Sequence, residues 1–153
     1  GGASLIAVDT NVLVYAHRSG TREHERALTW LRHLAEGAAP WGLPVFVLGE
    51  FLRVTTHPRL FDPPSTVEEA TAALEGLMSS PGARILSPGP RYGALLMDAV
   101  RDGRASGNLA FDAQIAAVCR EHGVSQLLTR DRDFSRFPWI RIVDLDEAPG
   151  SVA

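Results

Sequence analysis

The chain has no lysine; all fifteen of its basic residues are arginine. That absence excludes every mechanism built on a lysine, such as a Schiff base or an ammonium paired with a transferred phosphate. The abundance of Ala, Gly and Pro beside Arg reads as GC-rich coding bias. Cysteine occurs once, at Cys119, so no internal disulfide can form and a reducing cytoplasm is the expected compartment. No apolar run reaches the roughly 18 residues that a membrane helix needs. The best candidate, Leu5 to Ala16, is broken by Asp9. No basic region precedes an apolar stretch at the N-terminus, so no secretory signal is expected. Residues 1–3 read as a candidate cloning remnant. His17, His24, His33, His57 and His122 are scattered, and zinc spacing is missing, so each reads as structural or solvated.

What remains is ordinary globular material: 153 residues, 45% apolar and 22% charged. That length suits one domain over residues 1–153 with a real core, with residues 144–153 as a polar tail. Residues 4–8 read as a buried strand, and a helix follows from Thr10 to about His17. A second helix covers residues 21–37, with Ala27, Leu28, Leu31, Leu34 and Ala35 at helical spacing and Gly37 as its stop. "WGLP" reads as a turn or short strand. "PVFVLGEFLRVTTHP" reads as a helix starting at Pro44 and ending before Pro58. Ser65 and Glu68 form a capping-box pattern for a helix reaching about Ser79. "ARILSP" is a strand, and Pro90 opens a helix to about Asp102. "LAFDAQIAAVCREHG" is a helix stopped by Gly123. "SQLLT" and "IRIVDL" are strands around the turn-rich "RDRDFSRFP". Strands alternating with helices imply an α/β fold, a central parallel sheet with helices on both faces.

Ligands of such sheets bind beyond the C-terminal strand ends. Asp9 ends the first strand, and Asp131 and Asp133 follow "SQLLT". Glu50 and Asp112 each interrupt an apolar helix. Taken singly, Glu50 could pair with a nearby arginine, and Asp112 could serve a helix N-terminus. Together, so many like charges would repel one another strongly. An all-oxygen set at this density suits a hard divalent cation such as Mg²⁺ or Mn²⁺.

Four blocks, "AVDTNVLVYAH", "LGEFLRVTTHPR", "GNLAFDAQIAAVCREHG" and "LLTRDRDFSRFP", resemble the signature segments of PIN-domain ribonucleases. More narrowly, they resemble the VapC toxins of bacterial toxin–antitoxin pairs. The resemblance spans about Leu5 to Ile142, and each block carries its acid. It implies a PIN-like fold and Mg²⁺-dependent or Mn²⁺-dependent hydrolysis of RNA phosphodiesters that inhibits translation and growth. It implies catalytic roles for Asp9, Glu50, Asp112 and Asp131. Asp9, Asp112, Asp131 and Asp133 would be the metal ligands, and Asn11 and Thr129 would support the carboxylates. Glu50 would act through a water or orient the nucleophile. It further implies a VapB-like antitoxin, a homodimer, tRNA or ribosomal RNA as substrate, and contact with DNA only through the antitoxin. Leu28, Trp30, Leu31 and Leu34 are candidates for the antitoxin contact, with a place in the core as the other reading.

Removing the five acids from a net charge of −3 leaves +2, so the remaining surface can attract RNA. Arg101, Arg104 and Arg132 are the arginines expected to hold phosphates, with Arg18, Arg53, Arg59, Arg130 and Arg136 also near the acidic segments. Asp144, Asp146 and Glu147 read as solvated. The alternative within the class is a PIN-domain RNA-processing nuclease without an antitoxin. Phosphotransfer domains also place an aspartate at a strand end, but they need a lysine near it. A catalytically dead binding module would have no use for the four acids.

Overall fold

The computed structural model describes residues 5–151; residues 1–3 of the expected remnant lie outside that range. The elements run β1 (Ile6–Val8), α1 (Thr10–His17), α2 (His24–Glu36), β2 (Trp41–Pro44), α3 (Val45–Thr55) and α4 (Val67–Met78). After them come β3 (Ala83–Leu86), α5 (Tyr92–Gly103), α6 (Leu109–Glu121), β4 (Gln126–Leu128) and β5 (Arg141–Val143). A short 3₁₀ turn covers Arg132–Arg136, and another covers Pro149–Ser151.

All five strands are parallel, in the order β3-β2-β1-β4-β5. The chain moves outward from β1 through β2 to β3, then returns to the other side of β1 as β4. The strand order therefore reverses between β1 and β4, the position at which open parallel sheets place their ligands. Val8 lies opposite Leu128, which in turn lies opposite Val143. The ladder continues one residue further, where the Asp9 amide donates to the Leu128 carbonyl (3.0 Å) and that of Thr129 to Val143 (3.1 Å). Asp9 and Thr129 thus leave the sheet side by side.

Helices cover both faces, α1 with α2, α3 and α4 in one group and α5 with α6 in the other. Residues 6–8 and 126–128 are buried on both sides, hence their lack of alternation. Trp30, Trp41, Phe51 and Phe134 are the bulkiest wholly buried side chains. Cys119 is buried as well, and burial pushes its thiol up to about 12, so it packs as a small hydrophobe. Among the described residues no helix is long and apolar enough to cross a membrane.

The elements match the sequence reading, with local differences. "WGLP" is a strand that pairs with β1 and β3. Gly123 stops α6 with φ +72°, a conformation that favours glycine, whereas Gly37 ends α2 in extended backbone. The capping box of α4 sits one residue later than expected, on Thr66 and Glu69. The Thr66 amide donates to the Glu69 carboxylate (2.9 Å), and the Glu69 amide donates to the Thr66 hydroxyl (3.0 Å). Ser65 is unavailable because its buried hydroxyl bonds the His17 ring (2.9 Å) and accepts from Arg18 (3.2 Å).

The tail differs from expectation in part: Asp146 is exposed as expected, while Asp144 is half-buried and pairs with Arg130 (2.9 Å); Asp146 also lies within reach of Arg130 and Arg26 (both 3.4 Å). The Glu147 carboxylate accepts from the Asp144 amide (2.7 Å). The Trp30 indole N–H donates to the carbonyls of Leu145 (3.3 Å) and Glu147 (3.0 Å). Trp30 is therefore part of the core and is withdrawn from the docking candidates.

Candidate active site

The site begins with Asp9, where β1 becomes α1. Its φ and ψ (−83°, 161°) are those of an N-cap, so the residue that ends the strand also starts the helix. The Thr10 amide donates to Oδ1 (2.7 Å), while the Thr129 hydroxyl (2.7 Å) and the Asn11 amide group (3.4 Å) donate to Oδ2. Only 6% of Asp9 is exposed. Burial, the largest influence, pushes its carboxyl from 3.8 up to about 6. The Thr129 and Thr10 donors pull it down, and the charges of Asp131 and Glu50 push it further up.

Thr129 joins the two ends of the chain. Its hydroxyl donates to Asp9 and accepts from the Asp131 amide (2.9 Å) and from Asn11 (3.3 Å). Asn11 in turn accepts from the Arg130 amide (3.3 Å). Asp131 caps the following 3₁₀ turn, where its carboxylate accepts from the Asp133 amide (2.9 Å). These bonds fix both strand ends against each other without using a basic side chain.

Asp112 arrives separately, from the first turn of α6. One carboxylate oxygen each from Asp112, Asp131 and Asp133 lie within 4.8 Å of one another. Burial first, then the charges of Asp131, Asp9 and Asp133, push Asp112 from 3.8 up to about 7; Arg136 opposes them weakly. Arg136 is bonded elsewhere, to the Gly103 carbonyl (2.9 Å). Among the described residues no arginine forms an ion pair with Asp112, Asp131 or Asp133. Asp9 lines the same cleft beside this trio, and its charge contributes to the upward push on Asp112.

A cleft of about 470 Å³ opens over these groups and is lined by Asp9, Asn11, Glu50, Asp112 and Asp131. Glu50 reaches it from α3, but both its oxygens are held by Arg53 (2.7 and 3.2 Å). The pair is exposed, so it is worth about 0.2–1 kcal/mol and exchanges readily.

The arginines do not converge on the cleft, and none lines it. Arg101 pairs loosely with Asp98 (3.7 Å). Arg104 is exposed in a left-handed backbone (φ 48°) after α5, and Arg132 is exposed between Asp131 and Asp133. Arg18 lies over Phe61 (4.4 Å) and donates to the Pro63 carbonyl (2.8 Å). Arg130 belongs to the tail. Sequence reasoning missed the apolar lining of the cleft, Val14, Tyr15, Phe46, Val54, Phe111 and Ile115. The signal for Phe111 was its position beside Asp112, ahead of the buried run 115–119.

A sequence profile of the PIN domain matches residues 6–140. Ribonuclease VapC43 of Mycobacterium tuberculosis is 39% identical over 137 residues, 90% of this chain and 92% of that protein. Ribonuclease VapC25 of the same organism is 36% identical, over 90% of this chain and 96% of that protein. Among solved structures, promoter-bound VapBC2 of Rickettsia felis shares the fold with a TM-score of 0.64 at 20% identity, covering 92% of this chain and 98% of that one. The sarcin–ricin loop cleaving toxin VapC20 of M. tuberculosis does so with a TM-score of 0.61 at 22% identity, covering 85% and 92%. The chain belongs to the PIN-domain family, among the VapC ribonucleases.

Proposed function

We propose that this chain acts as one PIN domain and is a divalent-metal-dependent endoribonuclease, the toxin of a toxin–antitoxin pair that arrests translation and growth. The observation that carries the reading is the convergence of Asp112, Asp131 and Asp133 on one point, beside the pinned carboxylate of Asp9. The donor set fits a hard cation: it is all oxygen, dense, and short of positive charge. Asp9, Asp112, Asp131 and Asp133 would hold Mg²⁺ or Mn²⁺, with the Asp9 carboxylate already fixed by its donors. When bound, such an ion acidifies a water and offsets charge on the attacking and leaving oxygens of a phosphodiester.

The protein's own part is to position. Thr129 and Asn11 hold the Asp9 carboxylate in one orientation, and Thr129 ties the Asp131 backbone to it. Glu50, released from Arg53, orients the attacking water and accepts its proton. Arg101, Arg104 and Arg132 meet backbone phosphates of RNA outside the cleft.

The antitoxin reading draws support from a second cavity. Leu13, Leu28, Leu31, Phe51, Ala73 and Leu77 line an apolar groove of about 250 Å³ among α1, α2, α3 and α4. It suits the apolar face of a short helix from a VapB-like antitoxin. We further propose a cytoplasmic homodimer that meets operator DNA only through that antitoxin.

The test is cleavage of total RNA by purified protein with Mg²⁺ or Mn²⁺. Activity should vanish in EDTA and in Asp9→Asn and Asp112→Asn. Full activity in either variant would overturn the metal assignment. Expression should arrest growth, and co-expression of the adjacent small gene should restore it. Growth without arrest in a permissive host would instead favour RNA processing.

A further inference from the structure

Hydrolysis of a phosphodiester needs the acids but has no use for the aromatic part of the same cleft. Phe111 is 65% exposed, the most exposed large apolar side chain among the described residues. A scattered surface phenylalanine needs no explanation. This one lines the cleft that holds the acids, and α6 fixes it directly beside Asp112. Gln114 lines the same cleft three residues on, on the same face of the helix as Phe111. Phe46 forms part of the wall and is backed by the ring of Tyr92 at 5.9 Å.

An exposed ring on the same helix face as a side-chain amide, which also acts on the Tyr92 hydroxyl, matches the chemistry of a nucleobase. The face stacks on any base, and the amide offers both a donor and an acceptor to a base edge. A base inside an A-form helix is stacked on both faces and has its edge paired, so it could not enter.

We propose that Phe111 and Gln114 form a subsite for one unpaired nucleobase of the RNA, next to the phosphate that is cut. This rests on the ribonuclease reading and extends it. Phe111 stacks on the base and Gln114 meets its edge, so the pair positions the scissile phosphate over the acids and biases the sequence cut. RNA is the occupant argued for because, under the ribonuclease reading, the ring lies in the cleft beside the acids that act on the strand.

The experiment uses the full chain and an RNA oligonucleotide spanning a cut site mapped in total RNA. The nucleotides flanking the cut are replaced in turn by 2-aminopurine, whose fluorescence falls on stacking. Phe111→Ala should raise KM about tenfold, within what one base–aromatic stack supplies, with kcat far less affected. Phe111→Trp should restore KM. The inactive Asp112→Asn protein should quench 2-aminopurine at one flanking position, and Asp112→Asn with Phe111→Ala should not. Gln114→Ala should change which base is preferred at that position. Wild-type KM and quenching in the Phe111→Ala proteins would overturn the subsite and leave Phe111 to a protein contact. Absence of cleavage by the wild type would overturn the ribonuclease reading and the subsite with it.

Discussion

Replacing Asp112 with asparagine should make the metal-free protein more stable while abolishing its activity. The side chain keeps its size and loses a charge that the fold disfavours. Asp112 is pushed from 3.8 up to about 7, which at 1.36 kcal/mol per pH unit sets a ceiling of about 4 kcal/mol. It is only half-buried, and solvent screening reduces that to about 1–2 kcal/mol. For a chain of this size each kcal/mol moves Tm by roughly 2–4 °C, so the variant should melt about 2–8 °C higher in EDTA at pH 8.

The sign follows from linkage. A carboxyl whose folded pKa lies above its unfolded one binds more protons in the native state, so stability falls as pH rises between the two values. For Asp112 the window runs from 3.8 to about 7. The advantage of asparagine should be small at pH 4–5, grow through pH 6 and level off above pH 7. Differential scanning fluorimetry in EDTA across that range is the assay. Saturating Mg²⁺ should reverse the order, since only the wild type gains binding energy, about 2.7 kcal/mol at a hundredfold excess over Kd. A lower Tm for the variant at pH 8, or a difference that ignores pH, would refute the claim that the acids repel one another in the native state.

Four other outcomes follow from the geometry. Thr129→Val removes a hydroxyl that bonds the Asp9 carboxylate and should cost about 1–3 kcal/mol in urea unfolding, with a loss of cleavage larger than the loss of folded protein. Arg53→Ala should change stability by less than about 1 kcal/mol, because the pair is exposed, while tightening Mn²⁺ binding by calorimetry as Glu50 is freed. Trp30→Phe deletes two hydrogen bonds to the tail and should speed proteolysis after Leu145, at a cost of about 1 kcal/mol. Leu28→Asp, in the apolar groove, should abolish capture by the antitoxin in a pull-down and leave RNA cleavage intact.

Asp9 and Asp131 were legible in the sequence because the parallel-sheet rule sends both strand ends to one edge. Register alone then brings them together. Glu50 and Asp112 were legible only as charges inside apolar helices, and sequence does not decide what such a charge faces. The structure separates the two, with Asp112 pushed up by burial and neighbouring acids against a weak opposing charge from Arg136, and Glu50 bonded to Arg53. The boundary of α4 was misplaced by one residue because "ST" and "EE" are both doublets. Only the tertiary demand of His17 and Arg18 for Ser65 selects Thr66 as the cap. The tail was read as solvated because charge near a terminus usually is, and the bonds from Trp30 and Arg130 cross more than a hundred residues or a strand turn that no local pattern reports.

The division among the acids has a physical logic. Asp9 is nearly buried and satisfied by three donors, so it cannot turn, and its charge is held in place whether or not a cation is present. Asp112, Asp131 and Asp133 are more open, and backbone caps and a helix turn hold them close together against their repulsion. The core of the sheet, with residues 6–8 and 126–128 buried on both faces, supplies the stability that this repulsion subtracts. A proton on Asp112 relieves the repulsion below about pH 7, and under the proposed function a divalent cation would relieve it above that. The same reasoning explains why the strongest apolar strand in the chain carries the least mobile carboxylate: β1 can absorb the burial cost of Asp9, and an exposed loop could not hold it still.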